Sequence, residues 1–285
     1  MAAADDKVDH VRAYLEYFRD LGVHEFYRND TLEAVEPSAA TEAEPVAAVV
    51  AQRAKVEVAV PSVSVLETLS PTELNIAKLV SLTDLAPVPT VRVAAELRAE
   101  ALESIRKDIG DCTRCPLAYG GRRKIVFGNG DPNARLMFVG EGPGADEDEQ
   151  GVPFVGKSGQ LLNNMIAAMG LRREDVYVAN IVKCRPPANR APEPVEANTC
   201  TQFLVRQMDI VQPEIVVALG ATAATYLLGV KQSLAVLRGQ FHQVRGAKCV
   251  VTFHPAYLLR DPTKKGDAWK DLQMVMAEMG LKGKG

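Results

Sequence analysis

The sequence predicts an α/β domain with a mostly parallel sheet, preceded by an N-terminal extension. From residue 96 onward, short apolar runs typical of buried strands alternate with longer segments of helical periodicity. The composition is that of a globular protein, since 47% of the 285 residues are apolar and 24% are charged. Before residue 96 neither periodicity is sustained. Alternating strands and helices indicate a mostly parallel sheet.

The first half of this domain contains two predicted strands. Residues 101–109 have the periodicity of a helix. The run 135–140 is almost continuously apolar, as in a strand that is buried on both faces. A predicted helix over 159–169 follows and ends before Gly170, because glycine is favoured just past a helix C-terminus. Residues 175–182 then predict the second strand.

The second half repeats the pattern. A helix over 194–211 begins at a proline, which is favoured in the first helical turn. The remaining predicted elements are a strand at 214–219, a short helix at 221–228, two hairpin-like strands at 241–244 and 248–253, and an amphipathic helix at 267–279. Ligands of parallel sheets bind beyond the carboxyl ends of the strands. The candidate site therefore lies just after residues 139, 179, 219 and 253.

Two segments precede this domain, which we assign to residues 96–285. Residues 1–30 contain an amphipathic helix within 7–28, whose apolar face fits either its own domain or a protein partner. Residues 31–95 are rich in Ala, Val, Pro and Glu and predict a flexible linker.

The distribution of charge restricts the classes of partner. Residues 1–95 carry 8 Lys and Arg against 15 Asp and Glu, whereas residues 96–285 carry 25 against 21. The mildly basic second part is compatible with nucleic-acid binding. No apolar run is long enough to span a membrane, and the N-terminus lacks the apolar segment of a signal peptide. The sequence predicts a monomeric cytoplasmic protein.

Four of the five cysteines form a candidate metal site. Cys112 and Cys115 are a C-x2-C pair, and Cys184 and Cys200 follow among basic residues. Four thiolates suit either a tetrahedral zinc ion or a [4Fe–4S] cluster, and neighbouring cations favour the thiolate form. Unrelated buried cysteines are the alternative. Cys249 lies in a predicted strand, where we interpret it as packing.

A glycine-rich loop follows the first predicted strand. The glycines of Gly140-Glu-Gly-Pro-Gly144 allow the backbone to approach a ligand closely. The loop lacks the lysine of a phosphate-binding P-loop, and the acidic run after it would repel phosphate. We interpret Asp148 and Glu149 as parts of a solvated turn, whereas Glu141 and Glu147 can face inward as hydrogen-bond acceptors.

The next loop leads into a helix and carries an aromatic ring. Phe154 lies between a proline and a glycine, where it serves as core packing or as a stacking platform for a flat ring. Ser158 is a favourable N-cap for the following helix. With Lys157 beside it, this helix N-terminus predicts a phosphate-binding position.

Polar residues end the second and last predicted strands. Asparagine is a poor strand former, so Asn180 at a strand end indicates a turn or a ligand contact. A single histidine is usually structural, but the His254-Pro255 pair at a strand end is stiff and directed to the surface. Arg260 follows closely and suits a phosphate contact.

Taken together, these motifs resemble the family 4 uracil-DNA glycosylases, iron–sulfur enzymes of bacteria and archaea. The resemblance covers residues from about 100 to 280, in order along the chain. It depends on Cys112-x2-Cys115, Gly140-Glu-Gly-Pro-Gly144, Gly151-Val-Pro-Phe-Val-Gly156, Asn180-Ile-Val-Lys-Cys-Arg-Pro-Pro187 and His254-Pro-Ala-Tyr-Leu-Leu-Arg260. It implies the three-layer α/β/α uracil-glycosylase fold with a four-stranded central parallel sheet.

The same resemblance implies a cofactor and a substrate. It makes a [4Fe–4S] cluster the better choice than zinc, with the ligands Cys112, Cys115, Cys184 and Cys200. It implies a DNA-repair hydrolase that removes uracil in base excision repair. By similarity, Phe154 stacks on the flipped uracil, Asn180 reads its edge and His254 contacts its O2. The residues implied to line the rest of the pocket are Glu141, Gly142, Pro143 and Glu147.

The catalytic roles follow from the chemistry of the bond. His254 is the candidate for stabilising negative charge on O2, and Glu141 and Glu147 are the candidates for activating water. The candidates for contacts with DNA phosphates are Lys157, Ser158, Arg185, Arg190 and Arg260. Two other classes of protein stay open. One is a non-catalytic iron–sulfur or zinc protein that binds nucleic acid, and the other is a Rossmann-like redox enzyme. The redox enzyme is disfavoured because no Gly-x-Gly-x-x-Gly follows the first strand.

Overall fold

The protein is described by a computed structural model that covers Leu82 and residues 86–283. The predictions for residues 1–30 and for most of the linker 31–95 lie outside the described residues. Within that part of the chain, six strands form one sheet in the order β1-β3-β2-β4-β6-β5. The strands are β1 (Asn129–Gly130), β2 (Leu136–Gly140), β3 (Tyr177–Asn180), β4 (Ile215–Leu219), β5 (Phe241–Val244) and β6 (Ala247–Thr252).

The predicted four-stranded parallel sheet is confirmed as the centre of this larger sheet. Strands β3, β2, β4 and β6 are parallel, and Val139 of β2 lies between Ala179 of β3 and Ala218 of β4. Strands β1 and β5 add an antiparallel edge on each side. Strand β1 has only two residues, which is too short for an alternating pattern to reveal it in the sequence.

Eight α-helices of the described chain connect and cover the strands. They are α1 (Arg98–Ile109), α2 (Ala145–Gln150), α3 (Lys157–Ala168), α4 (Pro194–Val211), α5 (Ala221–Leu228), α6 (Leu234–Leu237), α7 (Pro255–Arg260) and α8 (Lys265–Met279). Helices α4 and α5 have the predicted bounds. Helices α2, α6 and α7 were not predicted, because four to six residues are too few to show a helical period. No helix in this part of the chain has the length and apolarity that a membrane span requires.

Two hydrophobic clusters on opposite faces of the sheet make up the core. Successive side chains of β2 alternate between them: Met137 and Val139 belong to one cluster, and Leu136 and Phe138 to the other. Residues of α1 and α4 share the first cluster, and residues of α3 and α8 share the second. The predicted three-layer α/β/α arrangement is therefore confirmed. The helices cover both faces of the sheet but not the ends of its strands.

The first hydrophobic cluster extends further towards the N-terminus than the sequence predicts. Leu82 is completely buried in it, although residue 82 was assigned to the linker. The side chain of Arg245, which follows β5, donates hydrogen bonds to the carbonyl groups of Leu82, Ala86 and Pro87. The end of the predicted linker thus packs on the domain. The sequence did not reveal this contact because its partners are about 160 residues apart.

Deletion of residues 1–90 should therefore destabilise the domain. The truncation removes buried Leu82 and leaves Arg245 without three acceptors, so we expect a loss of about 3 kcal/mol in the free energy of unfolding. A truncation that begins at Ile76 keeps these contacts and is the matched control. Urea denaturation of both proteins measures the difference. Equal unfolding midpoints would show that the contacts of Leu82 do not contribute to stability.

Candidate functional site

The carboxyl ends of β2, β3 and β6 surround a cavity of about 400 Å³. It lies at the edge of the sheet where the strand order predicts a ligand site. The predicted site residues that line it are Glu141, Gly142, Pro143, Glu147, Phe154, Ser158, Asn180, Arg190, His254 and Arg260. The cavity also includes Pro186, Asn189 and Ala256, for which the sequence offered no separate signal.

Gly140, the last residue of β2, allows two of the predicted pocket residues to approach each other. A Cβ atom at this position would lie 2.6 Å from Cζ of Phe154 and 2.5 Å from Oδ1 of Asn180. Any larger residue would displace one of these side chains. The first glycine of the loop is thus required for packing at the base of the cavity.

The backbone of Phe154 is in a left-handed conformation, with φ of 56°. This conformation is unfavourable for a residue with a side chain, and such strain persists only where the surroundings enforce it. Gly159 contributes to this restraint, since a Cβ there would lie 1.9 Å from the carbonyl oxygen of Phe154. The ring is buried and lies 5.6 Å from the ring of His254, centroid to centroid. One flat face of the cavity is therefore a rigidly held aromatic ring.

Glu147 organises the loop that carries Phe154. Its Oε2 accepts a hydrogen bond from the backbone N–H of Gly144 at 3.0 Å. Its Oε1 accepts from the N–H groups of Val155 at 3.0 Å and Gly156 at 3.2 Å. The prediction that Glu147 faces inward as an acceptor is confirmed. Both carboxylate oxygens are occupied by the backbone, as expected for a residue that anchors a loop.

The interpretation of Asp148 as part of a solvated turn is wrong. Residues 145–150 form α2, and Asp148 is only 1% exposed. Its Oδ1 accepts hydrogen bonds from the backbone N–H groups of Arg123 at 2.9 Å and Lys124 at 3.3 Å. Glu149 is exposed, as predicted. An acidic run resembles a solvated turn in the sequence because the backbone groups that Asp148 binds lie more than 20 residues away.

Asn180 ends β3 and is 1% exposed. Its side-chain Oδ1 is buried and has no hydrogen-bond partner among the described residues. A buried acceptor without a donor is unfavourable by about 1–3 kcal/mol, so its retention favours a ligand that donates to it. The sequence prediction of a ligand contact at this strand end is consistent with this geometry.

His254 is held in one protonation state by the start of α7. Its Nδ1 accepts a hydrogen bond from the backbone N–H of Ala256 at 3.1 Å, so Nδ1 carries no proton. Burial lowers the pKa of His254 to about 4, and the positive charge of Arg260 contributes to the shift. The ring is therefore neutral at physiological pH, with its hydrogen on Nε2 available to donate to a ligand.

The five residues predicted to contact phosphates differ in their exposure and in their partners. Lys157 is exposed at the first residue of α3, and exposed Arg260 lines the cavity. Arg185 donates from Nε to Asn189 Oδ1 at 2.8 Å. Arg190 forms a two-pronged ion pair, at 2.6 and 2.7 Å, with the carboxylate of Glu196. The side chain of Glu196 is 1% exposed, so the charge of Arg190 is largely neutralised.

Ser158 lies at the second position of α3, and Gly156 is the N-cap. The prediction that Ser158 caps this helix is therefore wrong, although Ser158 does line the cavity. A larger residue at position 156 would displace Asp146 of α2, because a Cβ there would lie 2.4 Å from its carboxylate oxygen. The sequence could not reveal this contact between α2 and the N-cap of α3.

The four predicted ligand cysteines line a second, smaller cavity. The segment after α1 supplies Cys112 and Cys115, the loop after β3 supplies Cys184, and α4 supplies Cys200. The fifth cysteine, Cys249, is fully buried in β6 within the hydrophobic core, as predicted. The structure therefore brings together the four cysteines selected by spacing.

Donor groups surround these sulfur atoms. The backbone N–H of Lys183 donates to Cys200 Sγ at 3.2 Å. The guanidinium of Arg122 donates to Cys184 Sγ at 3.4 Å, and that of Arg114 lies 3.8 Å from Cys112 Sγ. Donors of this kind stabilise thiolates bound to a metal. The arginine contacts were not predicted, because basic residues this near a cysteine pair look like ordinary surface charges in the sequence.

Burial favours the neutral thiol form of the buried cysteines in this cavity. Burial, and then the proximity of Cys184, raises the pKa of Cys115 to about 12. Burial also raises the pKa values of Cys184 and Cys200. Buried thiolates form when metal cations compensate their charge. In the described part of the chain, no three His, Cys, Asp or Glu side chains are arranged to hold a single metal ion.

The fold and the two cavities define an α/β/α protein that has a cavity with an aromatic ring at the carboxyl ends of its strands and a second cavity lined by four cysteines. Residues 127–273 match the family model of the uracil DNA glycosylase superfamily. The type-4 uracil-DNA glycosylase of Thermotoga maritima is 46% identical over 166 residues, which are 58% of this chain and 86% of that relative. This chain belongs to the type-4 uracil-DNA glycosylase family.

Two archaeal relatives match over similar lengths. The type-4 uracil-DNA glycosylase of Archaeoglobus fulgidus is 37% identical over 191 residues, covering 64% of this chain and 96% of the relative. That of Pyrobaculum aerophilum is 40% identical over 181 residues, covering 61% and 92%.

Proposed function

We propose that this protein hydrolyses the N-glycosidic bond of uracil in DNA, releasing uracil and leaving an abasic site. One observation carries the proposal: Asn180, whose buried amide oxygen has no partner among the described residues, lines a cavity together with a rigid aromatic ring. The family of the chain supports the same reaction, since the relatives described above are uracil-DNA glycosylases. The resemblance of the sequence motifs to family 4 uracil-DNA glycosylases implies the same activity.

Recognition of uracil follows from the hydrogen-bonding groups of Asn180. Uracil presents a donor at N3 and an acceptor at O4, which complement the oxygen and the NH2 group of an amide. The unpartnered Oδ1 of Asn180 accepts from N3–H, and its amide NH2 donates to O4. The ring of Phe154 stacks on the base. Cytosine presents an acceptor at N3 and a donor at N4, so the same fixed amide disfavours it.

Cleavage requires the base to leave the DNA helix and negative charge to be stabilised. Flipping unstacks the base at a cost of a few kcal/mol, which the contacts in the cavity offset. As the bond breaks, electrons move to the uracil ring and charge develops on O2. The Nε2–H of neutral His254 donates to that oxygen, a contribution of about 3 kcal/mol by analogy with oxyanion holes.

A water molecule then attacks the sugar at C1′. Of the two predicted candidates for its activation, Glu147 uses both oxygens to hold the backbone. The side chain of Glu141 makes no hydrogen bond within the described residues and lines the cavity. We assign the positioning of water to Glu141 and the anchoring of the loop to Glu147.

The four cysteines are the proposed ligands of a [4Fe–4S] cluster. Each iron of such a cluster takes one thiolate, so the cysteines need not converge on one point as four zinc ligands would. This requirement agrees with four cysteines around one cavity and no three arranged for a single ion. A bound cluster would cross-link the segment after α1, the loop after β3 and helix α4.

DNA is the proposed partner of the cavity edge. Lys157, Ser158, Arg185 and Arg260 are proposed to contact phosphates, whereas Arg190 is proposed mainly to hold the loop through Glu196. A monomeric state, a cytoplasmic location and a protein partner for residues 7–28 stay predictions from the sequence.

Incubation with oligonucleotides followed by alkaline cleavage tests the function. Purified protein should produce strand breaks at uracil and none at the four normal bases. Single-stranded and double-stranded substrates, with uracil opposite adenine or guanine, establish the preferred context. Folded, iron-containing protein that yields no breaks at uracil would contradict the proposal.

Replacing His254 with alanine should slow uracil excision by about 100-fold, because the donor to O2 is lost. Since the pKa of His254 is lowered to about 4, its neutral form dominates from pH 5 upward. The ratio of wild-type to His254→Ala single-turnover rates should therefore stay constant between pH 8 and pH 5. Below about pH 4, protonation of Nδ1 breaks the bond from Ala256 and adds positive charge to the ring, so the ratio should change.

His242→Ala is the matched control for this variant. His242 lies on β5 and contacts the Leu237 carbonyl at 2.8 Å, outside the cavity, so its loss should leave excision unchanged. A change of the rate ratio near pH 6.5, the ordinary pKa of histidine, would show that His254 is not held neutral in the active protein.

A further inference from the structure

Lys183 is a buried lysine that contacts both the base-reading residue and the cysteine centre. It is 1% exposed and lies three residues after Asn180 and directly before Cys184. Its Nζ donates to the carbonyl oxygen of Asn180 at 3.0 Å. Its backbone N–H donates to Cys200 Sγ at 3.2 Å, and it lines the cysteine cavity. One residue therefore connects the two sites of the protein.

Gln207 completes the connection. It is fully buried on α4, two turns after Cys200, and its Oε1 accepts from Lys183 Nζ at 2.6 Å. Its Nε2 donates to the carbonyl of Phe127 at 2.9 Å and lies 3.1 Å from the hydroxyl of Tyr177. All hydrogen-bonding groups of this amide are thus used, which fixes its orientation. Tyr177 begins β3, so the network holds both ends of the strand that carries the base-reading amide.

The positive charge of buried Lys183 also relates this residue to the cysteine centre. Among the residues that the structure describes, the acceptors of Lys183 Nζ are a backbone carbonyl and a side-chain amide, and no carboxylate forms an ion pair with it. A buried ammonium group is stable only where negative charge or strong acceptors compensate it. The cysteine sulfurs around the neighbouring cavity would supply that negative charge as metal-bound thiolates. An occupied cysteine centre would thus help to hold Lys183 in place.

We infer that Lys183 and Gln207 are positioning residues that couple the cysteine centre to recognition of the base. Lys183 holds the carbonyl of Asn180, so that the side-chain amide of Asn180 stays aligned with uracil. The negative charge of the occupied centre holds Lys183 in turn. This inference depends on the proposed function, because it assigns the cavity to uracil. It adds that occupancy of the centre strengthens binding of the base.

Lys183→Met tests the first half of the coupling. Methionine has a similar length but cannot donate to Asn180 or Gln207. In the iron-loaded protein, calorimetry should show at least about tenfold weaker binding of free uracil, the effect of one strong buried hydrogen bond to a charged donor. Binding of a duplex with an abasic site should be unchanged, as should the iron content. Lys248→Met, which removes an exposed lysine paired with Glu278, is the control and should alter neither affinity.

A second variant addresses the possibility that Lys183→Met does not fold. Gln207→Glu keeps the shape of the side chain and the acceptor for Lys183 but loses the donor to Phe127 and Tyr177. It should weaken uracil binding in the same selective way. Parallel loss of uracil and abasic-DNA affinity in either folded variant would indicate a merely structural role and overturn the inference. Wild-type protein that releases no uracil would instead contradict the proposed function.

Linkage tests the second half of the coupling. If an occupied centre strengthens uracil binding, uracil must stabilise the occupied centre in return. Saturating uracil should therefore slow iron loss to a chelator by about fivefold in the wild type, the low end of typical coupling between sites. In Lys183→Met, uracil at saturating concentration should give no protection. Equal protection in both proteins, or none in the wild type, would overturn the coupling.

Discussion

Asn180→Asp should slow uracil excision by at least two orders of magnitude. The amide NH2 that we propose as the donor to O4 is replaced by a carboxylate oxygen, which would face an acceptor and oppose the negative charge that develops on the ring. A lost hydrogen bond and this repulsion together amount to about 3 kcal/mol or more. The environment enhances the effect, because Asn180 is 1% exposed and water cannot screen the new charge.

The preference for uracil over cytosine shows whether Asn180→Asp affects recognition of the base or disturbs the protein as a whole. Cytosine offers a donor at N4, so it should be penalised less than uracil by the carboxylate. Single-turnover rates on uracil and cytosine opposite guanine should therefore converge in Asn180→Asp. Asn129→Asp, an exposed substitution on β1, is the matched control and should keep the wild-type ratio. Wild-type rates for Asn180→Asp on uracil would show that Asn180 only ends a strand and that the base binds elsewhere.

Cys184→Ser should remove most of the iron from the protein. Wild-type protein purified without oxygen should be brown and contain about four irons per chain. Serine cannot supply a thiolate, and the sulfur it replaces is the one that receives the hydrogen bond from Arg122. The variant should be nearly colourless. It should also unfold at lower denaturant concentration, because a bound cluster would join the segment after α1, the loop after β3 and helix α4.

Cys249→Ser provides the control for this change. Cys249 is equally buried but lies in β6 within the core, so its iron content and colour should match the wild type. Iron analysis and visible absorption of the three proteins decide the assignment. A colourless and fully active wild-type protein with one zinc would contradict it, and so would Cys184→Ser that retains its iron.

The proposed coupling through Lys183 predicts how Asn180→Asp and Cys184→Ser differ in uracil binding and iron content. If the cysteine centre holds Lys183, loss of iron in Cys184→Ser should weaken uracil binding without any change in the cavity itself. Asn180→Asp should also weaken uracil binding, but its iron content should stay at the wild-type level. Comparing uracil affinity with iron content in both variants therefore separates damage at one site from transmission between the sites.

Much of the fold and of the site was determined by the sequence alone. The four parallel strands and the long helices follow from local patterns, because burial on two faces makes a strand continuously apolar and burial on one face gives a helix its period. The place of the site follows from the parallel order, which brings Gly140, Asn180 and His254 to one edge. The selection of four cysteines out of five was likewise possible from spacing and surroundings.

Only the tertiary structure decided which polar groups are buried and what they contact. Asp148 binds the backbone near residue 123, Arg245 binds carbonyl groups near residue 82, and Lys183 joins Asn180 to Gln207. A charged residue has the same appearance in the sequence whether it is solvated or paired. Its hydrogen-bond partners are distant in the chain, and a buried charge is stable only when those partners are brought to it by the fold. The local pattern therefore determined the layers of this protein, and the packing of those layers decided the role of each buried polar group.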